Sequence, residues 1–127
     1  MPKRILVVDD CEDVRFLLAL KLNNMGFDVS EATDGEDAYE ILEDEDSDNI
    51  DVLLLDVMMP KLTGEQLIEK LKEENYDKEL KIICITAYYD EELHEKLKNL
   101  GVFNVLKKPI KGNELNKRLN EVIKKAS

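Results

Sequence analysis

Tryptophan is absent from the 127-residue sequence, histidine occurs once, cysteine twice, proline three times and glycine five times. The two thiols, Cys11 and Cys84, show no CxxC spacing and no second cluster. That excludes a disulfide framework and a thiolate zinc site, and it fits free thiols in a reducing compartment. His94 has no second histidine or cysteine near it, so it is read as a surface residue and not as a metal ligand. With so few prolines and glycines there is no linker and no low-complexity block, and residues 1–127 are expected to form a single domain. No apolar run approaches the ~20 residues of a membrane span. The basic start, Lys3-Arg4, leads into an apolar run that already stops at Asp9-Asp10, too short for a secretion signal. A cytoplasmic location is therefore expected. Bases are scarce relative to acids: 18 Lys+Arg against 29 Asp+Glu give a formal net charge of −11 at pH 7. That balance argues against a nucleic-acid or anionic-membrane binder, whose electrostatic contribution would be repulsive.

What is present is a hydrophobic content of 43%, enough for one core, and a surface rich in charge. The acids are unevenly placed. Residues 1–63 carry 17 acids and five bases, and residues 64–127 carry 12 acids and 13 bases. Strand-like and helix-like segments alternate from end to end. Ile5-Leu6-Val7-Val8 is an apolar run ended by Asp9-Asp10. Residues 12–25 read as a helix, with Val14, Leu17, Leu18, Leu22 and Met25 near helical spacing and Gly26 closing it. Phe27-Asp28-Val29-Ser30 alternates like a half-exposed strand, and Asp34 is placed to cap a helix carrying Ala38, Ile41 and Leu42. Val52-Leu53-Leu54-Leu55 is a second apolar run, ended by Asp56, and residues 64–75 give a helix with Leu67, Ile68 and Leu71. Ile82-Ile83-Cys84-Ile85 is a third run, ended by Thr86, before a helix capped by Asp90 that carries Leu93 and Leu97. Val102 to Leu106 is a mixed run leading to Lys107-Lys108-Pro109, and residues 111–126 set Leu115, Leu119, Val122 and Ile123 on one helical face.

Five strands alternating with five helices predict an α/β fold, a doubly wound (βα)5 sheet of parallel strands with helices on both faces. The first, third and fourth strands are apolar throughout, as interior strands are, and the second and fifth are mixed, as edges are. The order 2-1-3-4-5 satisfies both.

In such a sheet, ligands bind beyond the carboxyl ends of the strands. Those ends carry Asp9 and Asp10, then Asp56, then Thr86, then Lys108. Three carboxylates at one rim repel one another unless a cation joins them, and a hard divalent ion such as Mg²⁺ takes one or two carboxylates plus further oxygens. A carboxylate can also attack phosphorus. Phosphoryl transfer asks for little beyond in-line positioning and neutralised oxygens, which Mg²⁺, Lys108 and the Thr86 hydroxyl would supply.

This pattern resembles the receiver domain of two-component response regulators. The matching residues are Ile5 to Asp10, Leu53-Leu54-Leu55-Asp56-Val57-Met58-Met59-Pro60 with Gly64, Ile83-Cys84-Ile85-Thr86-Ala87, and Lys108-Pro109, and the likeness covers essentially the whole chain. It implies a flavodoxin-like three-layer sandwich and a switch phosphorylated by a sensor histidine kinase. It implies Asp56 as phosphoacceptor. It implies Mg²⁺ held by Asp10, Asp56 and the Met58 backbone carbonyl, with Asp9 acting largely through water. Lys108 and Thr86 become the phosphoryl-sensing pair, and the Lys108–Pro109 peptide is expected to be cis. Such a domain catalyses only its own phosphorylation and dephosphorylation. A downstream protein target or output domain would meet the face of the fourth helix, fifth strand and fifth helix. Three positions depart from the family pattern: Val105 stands where an aromatic switch is common, with Phe103 two residues away; Thr63 precedes Gly64 where Asp is frequent; and Tyr88 stands where phosphoryl lifetime is tuned.

Other features are read against plainer alternatives. Asp44, Asp46 and Asp48 fit positions 1, 3 and 5 of a calcium loop, but position 6 is Asn49 and position 12 is Leu55, so the stretch is read as a frayed helix end and an acidic loop. Phe16 and Leu20, spaced i and i+4 off the apolar stripe of their helix, are expected to dock the kinase together with Ile110. Lys111, Lys117, Arg118, Lys124 and Lys125 are read as a solvated helix face with cations near its C-terminus. A phosphohydrolase with an aspartate nucleophile would carry a second Asp where Met58 stands, and a nucleotide-binding loop would not place Asp9-Asp10 after its first strand. A receiver-like scaffold that is never phosphorylated is the remaining rival. The chain ends directly after the last expected helix, which fits a stand-alone regulator or a domain cut from a longer protein.

Overall fold

The computed structural model describes residues 3–44, 50–57, 63–74, 80–87, 90–102, 104–110 and 113–125. Its elements run β1 (Arg4–Val8), α1 (Glu12–Asn24), β2 (Asp28–Ala32), α2 (Gly35–Glu43), β3 (Val52–Asp56), α3 (Gly64–Glu73), β4 (Lys81–Thr86), α4 (Glu91–Asn99), β5 (Asn104–Lys107) and α5 (Glu114–Lys125). The five strands are parallel and lie in the order β2-β1-β3-β4-β5. That is the expected architecture and strand order.

The alternation of side chains along each strand divides the core in two. Leu6, Val8, Leu53, Leu55 and Cys84 point to one face, where Ala38 and Leu42 of α2, Leu67, Ile68 and Leu71 of α3, and Leu97 of α4 cover them. Ile5, Val7, Val52, Leu54, Ile83 and Ile85 point to the other, under Leu22 of α1 and Leu115, Leu119 and Val122 of α5. β3 is buried along its whole length, whereas edge strand β2 is mostly exposed or half-buried.

Helix starts follow their caps. The Asp34 carboxylate accepts the Asp37 N–H at 2.8 Å, and Asp90 accepts the Glu92 N–H at 2.9 Å. Thr63 opens α3 with a reciprocal pair: its hydroxyl accepts the Gln66 N–H at 3.2 Å and its own N–H donates to Gln66 Oε1 at 3.0 Å. Gly26 and Gly101 adopt φ of 96° and 88°, left-handed values that favour glycine, just past the ends of α1 and α4.

Several expectations are corrected. Leu17 is not on the inner face of α1. It is 63% exposed, while Ala19 and Leu22 are buried and Val14, Leu18 and Met25 are partly so. Leu17 and Leu18 are adjacent, about 100° apart on the helix, and only one of them can face the sheet. α1 ends at Asn24, β2 starts at Asp28 and runs to Ala32, β5 covers only Asn104–Lys107, and α5 starts at Glu114. Val102 is buried ahead of β5 because its N–H still closes the end of α4, donating to the Leu97 carbonyl at 2.8 Å. His94 is half-buried on α4. Met58, Tyr88, Phe103 and Lys111 lie outside the described residues, as does the acidic loop from Glu45 to Asn49.

Candidate functional site

β1 and β3 are neighbours in register, with Val8 opposite Leu55, so the residues that follow them, Asp9 and Asp56, stand side by side at the carboxyl edge. Both are buried, at 2% and 6% exposure, and Asp10 beside them is exposed. One carboxylate oxygen from each of Asp9, Asp10 and Asp56 lies within 4.8 Å of the others. Thr86, buried, ends β4 next to Asp56. Its carbonyl accepts the Lys108 N–H at 2.8 Å, so the backbone just past β5 is tied to the same rim. The Lys108–Pro109 peptide is cis.

The Lys108 ammonium joins the acids. Its Nζ donates to Asp9 Oδ2 at 3.2 Å and to Asp56 Oδ2 at 3.1 Å. Burial alone would pull this ammonium down; the hydrogen bonds and charges of Asp56, and then of Asp9, outweigh it and hold Lys108 above the ordinary lysine range. The five residues expected at the strand ends are thus gathered on one edge, with Asp9, Asp56 and Lys108 in direct contact and Asp10 facing solvent. Three carboxylate oxygens so close, one on an open side, form a donor set that fits a hard divalent cation such as Mg²⁺.

The backbone around the site is braced by groups that the sequence did not reveal. Asp9 Oδ1 accepts the Cys11 N–H at 2.9 Å, and the Arg15 guanidinium donates to the Asp9 carbonyl at 2.9 Å. After Asp56, Val57 donates to the Ile85 carbonyl and accepts from the Gly64 N–H, both at 3.1 Å. A Cβ at Gly64 would stand 2.9 Å from Val57 Cα and 3.1 Å from the Asp56 carbonyl, so only glycine lets α3 start this close to β3. Gly64 was legible as a motif residue, but its contact partner was not. Cys84 lies beneath the rim, its thiol pushed up to about 12 by burial, then by Glu65 and Asp56, which keeps it an unreactive core residue.

Away from the rim, Phe16 and Leu20 are exposed as expected, at 60% and 47%, and Leu17 joins them. Ile110 is half-buried against the core shared with α1 and α5. Val105 packs partly buried on the opposite core. Lys117 is exposed, and half-buried Arg118 donates to Asn104 at 3.4 Å.

The model of the family described as "response regulator receiver domain" matches residues 5–120. The alkaline phosphatase synthesis transcriptional regulatory protein PhoP of Bacillus subtilis is 35% identical over 127 residues, which span 99% of this chain and 50% of that protein. The chemotaxis protein CheY of Treponema pallidum is 35% identical, over 97% of this chain and 84% of that one. The chain spans about half or less of the first curated relatives it matches, CheY excepted. Among solved structures, a Francisella response regulator receiver domain superposes with a TM-score of 0.86 at 28% identity, covering 98% of this chain and 99% of that one. The response regulator TrrA of Thermotoga maritima, solved in complex with Mg²⁺ and BeF, gives 0.78 at 31% identity, covering 94% and 98%.

Proposed function

The chain belongs to the response regulator receiver family, whose general function is phosphorylation-based signalling, and on that premise we propose that it takes a phosphoryl group onto Asp56 from the phosphohistidine of a sensor histidine kinase. The observation that carries this reading is the meeting of Asp9, Asp10 and Asp56 at the strand ends, with one ammonium bridging two of them.

An Asp56 carboxylate oxygen attacks phosphorus, the bond from phosphorus to the imidazole nitrogen breaks, and an acyl phosphate forms. Asp9, Asp10 and Asp56, with the Met58 carbonyl, would hold Mg²⁺. Bound there, the ion neutralises charge on the phosphoryl oxygens. Lys108 turns from Asp56 to the incoming group, and the Thr86 hydroxyl donates to it, so arrival of the phosphoryl group redistributes contacts along β4 and β5. The domain catalyses only its own phosphorylation and its hydrolysis.

Residues 1–127 act as a single receiver domain in the cytoplasm; no described helix is long and apolar enough to cross a membrane. The kinase docks on the exposed Phe16, Leu17 and Leu20 of α1 together with Ile110, and a downstream target or output domain meets the α4-β5-α5 face. The test is intact mass after incubation with acetyl phosphate, with and without Mg²⁺, alongside Asp56→Asn. One phosphoryl adduct that needs Mg²⁺ and is lost in the variant supports the reading. No adduct from a folded, Mg²⁺-binding chain, with acetyl phosphate or with a cognate kinase, would favour a scaffold that is never phosphorylated.

A further inference from the structure

We propose that Arg15 is a positioning residue for the acidic site: it fixes the Asp9–Asp10 peptide and thereby sets where the carboxylates of that turn stand. The proposal rests on the reading of Asp9, Asp10 and Asp56 as a Mg²⁺ site. Arg15 is the fourth residue of α1, and its guanidinium spans two strand ends. Nη1 donates to the Asp9 carbonyl at 2.9 Å, and Nε donates to Glu31 Oε1 on β2 at 3.2 Å. The Arg15 side chain is 13% exposed, so the fork is largely buried although Glu31 is open to water.

The turn is held at every other polar position of Asp9. The Asp9 N–H donates to the Ala32 carbonyl at 3.3 Å, Oδ1 takes the Cys11 N–H, and Oδ2 takes Lys108. The carbonyl is the remaining group, and Arg15 is its partner. Because the peptide is planar, the Asp9 carbonyl and the Asp10 N–H move as one plate. Holding that carbonyl fixes the plate, and with it the direction from which the Asp10 side chain departs. A rigid planar fork does this better than an ammonium, since one guanidinium reaches both Asp9 and Glu31.

Two effects of Arg15 on a divalent cation have opposite signs. As a positive charge near three carboxylates it repels the ion, so its removal would strengthen binding. As a brace it keeps the ligands in place, so its removal would weaken binding. The geometry points to the second, because Glu31 already offsets the charge while no other described group takes over the bond to the Asp9 carbonyl.

The experiment is Mg²⁺ titration by calorimetry on the full chain, comparing wild type, Arg15→Gln, Arg15→Lys and Glu31→Gln. Circular dichroism without metal verifies the fold of each. Arg15→Gln is expected to weaken Mg²⁺ binding about 10-fold, the lower end for lost outer-shell partners. Arg15→Lys recovers part of that loss. Glu31→Gln, which leaves the bond to Asp9 in place, loses less than Arg15→Gln. Unchanged or tighter binding in a folded Arg15→Gln overturns the proposal, and so does an equal loss in Glu31→Gln. Should Arg15→Gln not fold, Arg15→Lys decides: weaker binding than wild type supports the brace, and equal affinity overturns it. A wild-type chain that takes no Mg²⁺ instead overturns the reading of the site itself, and the role of Arg15 with it.

Discussion

Replacing Lys108 with methionine keeps the side chain's length and removes the ammonium that bridges Asp9 and Asp56. Both carboxylates stay where they are, 2% and 8% exposed at the side chain, against 24% for the lysine. Breaking a fully buried pair costs about 3–5 kcal/mol, and losing an exposed one costs about 0–1 kcal/mol. Here the acids are buried and the lysine is a quarter open, so water offsets part of the loss and the expected cost is about 2 kcal/mol. Urea denaturation in the presence of a chelator measures it as a lower midpoint at unchanged slope. A second arm follows from the geometry. The ammonium and a divalent cation draw on the same two acids, Asp9 and Asp56, so Mg²⁺ is expected to stabilise Lys108→Met more than wild type and to narrow the gap. Equal stability without metal, to within about 0.5 kcal/mol, would refute the role of Lys108 as counter-charge. A gap that Mg²⁺ leaves untouched would refute the claim that the two cations compete for one site.

The raised pKa of Lys108 has a defined sign. Its stabilising contribution is fully present below the ordinary lysine value of about 10.5 and is lost as pH rises through the higher folded value. The difference in urea midpoint between wild type and Lys108→Met therefore shrinks above that pH, and a difference that stays constant there would contradict the contacts. Gly64→Ala forces a methyl group against the backbone of Asp56 and Val57. It is expected to lose about 1–3 kcal/mol in the same denaturation assay despite the better helix former, and a neutral result would mean that α3 moves away freely. Between α2 and the end of α3, the Tyr39 hydroxyl donates to both carboxylate oxygens of Glu74, at 2.5 and 2.6 Å, under Lys70. That hydrogen bond, with some burial and the charges of Glu43 and Glu74, pushes the phenol up to about 12. Ultraviolet titration is expected to show that the one phenolate lost in Tyr39→Phe forms in wild type only near that pH, and a lost phenolate that forms near pH 10 would contradict the bond.

The strand ends were legible because three apolar runs each stop abruptly at a polar residue: Asp9, Asp56 and Thr86. A parallel sheet turns those stops into one edge. The order of the strands was legible from the same runs, since the first, third and fourth are unbroken whereas the second is interrupted by Asp28 and the fifth by Asn104. What escaped depends on contacts between distant segments or on phase. Leu17 and Leu18 fit the helical stripe equally well, and which one faces β1 is decided by the angle at which α1 leaves the turn. That Arg15 bonds the Asp9 carbonyl follows from the fold of that turn, and no spacing rule announces it. Gly64 meets the β3 backbone because α3 starts above it, and the limits of β5 depend on the closure of α4 at Val102.

The measurement that bears most directly on the central claim is chemical mapping of the phosphorylated residue. Borohydride reduces an acyl phosphate to an alcohol, so treating the phosphorylated chain and sequencing its peptides by mass marks the residue that carried the phosphoryl group. Homoserine is expected at position 56 and at no other aspartate, Asp9 and Asp10 included. A reduced residue elsewhere, or a phosphoryl group that survives on a hydroxyl or on His94, would contradict it.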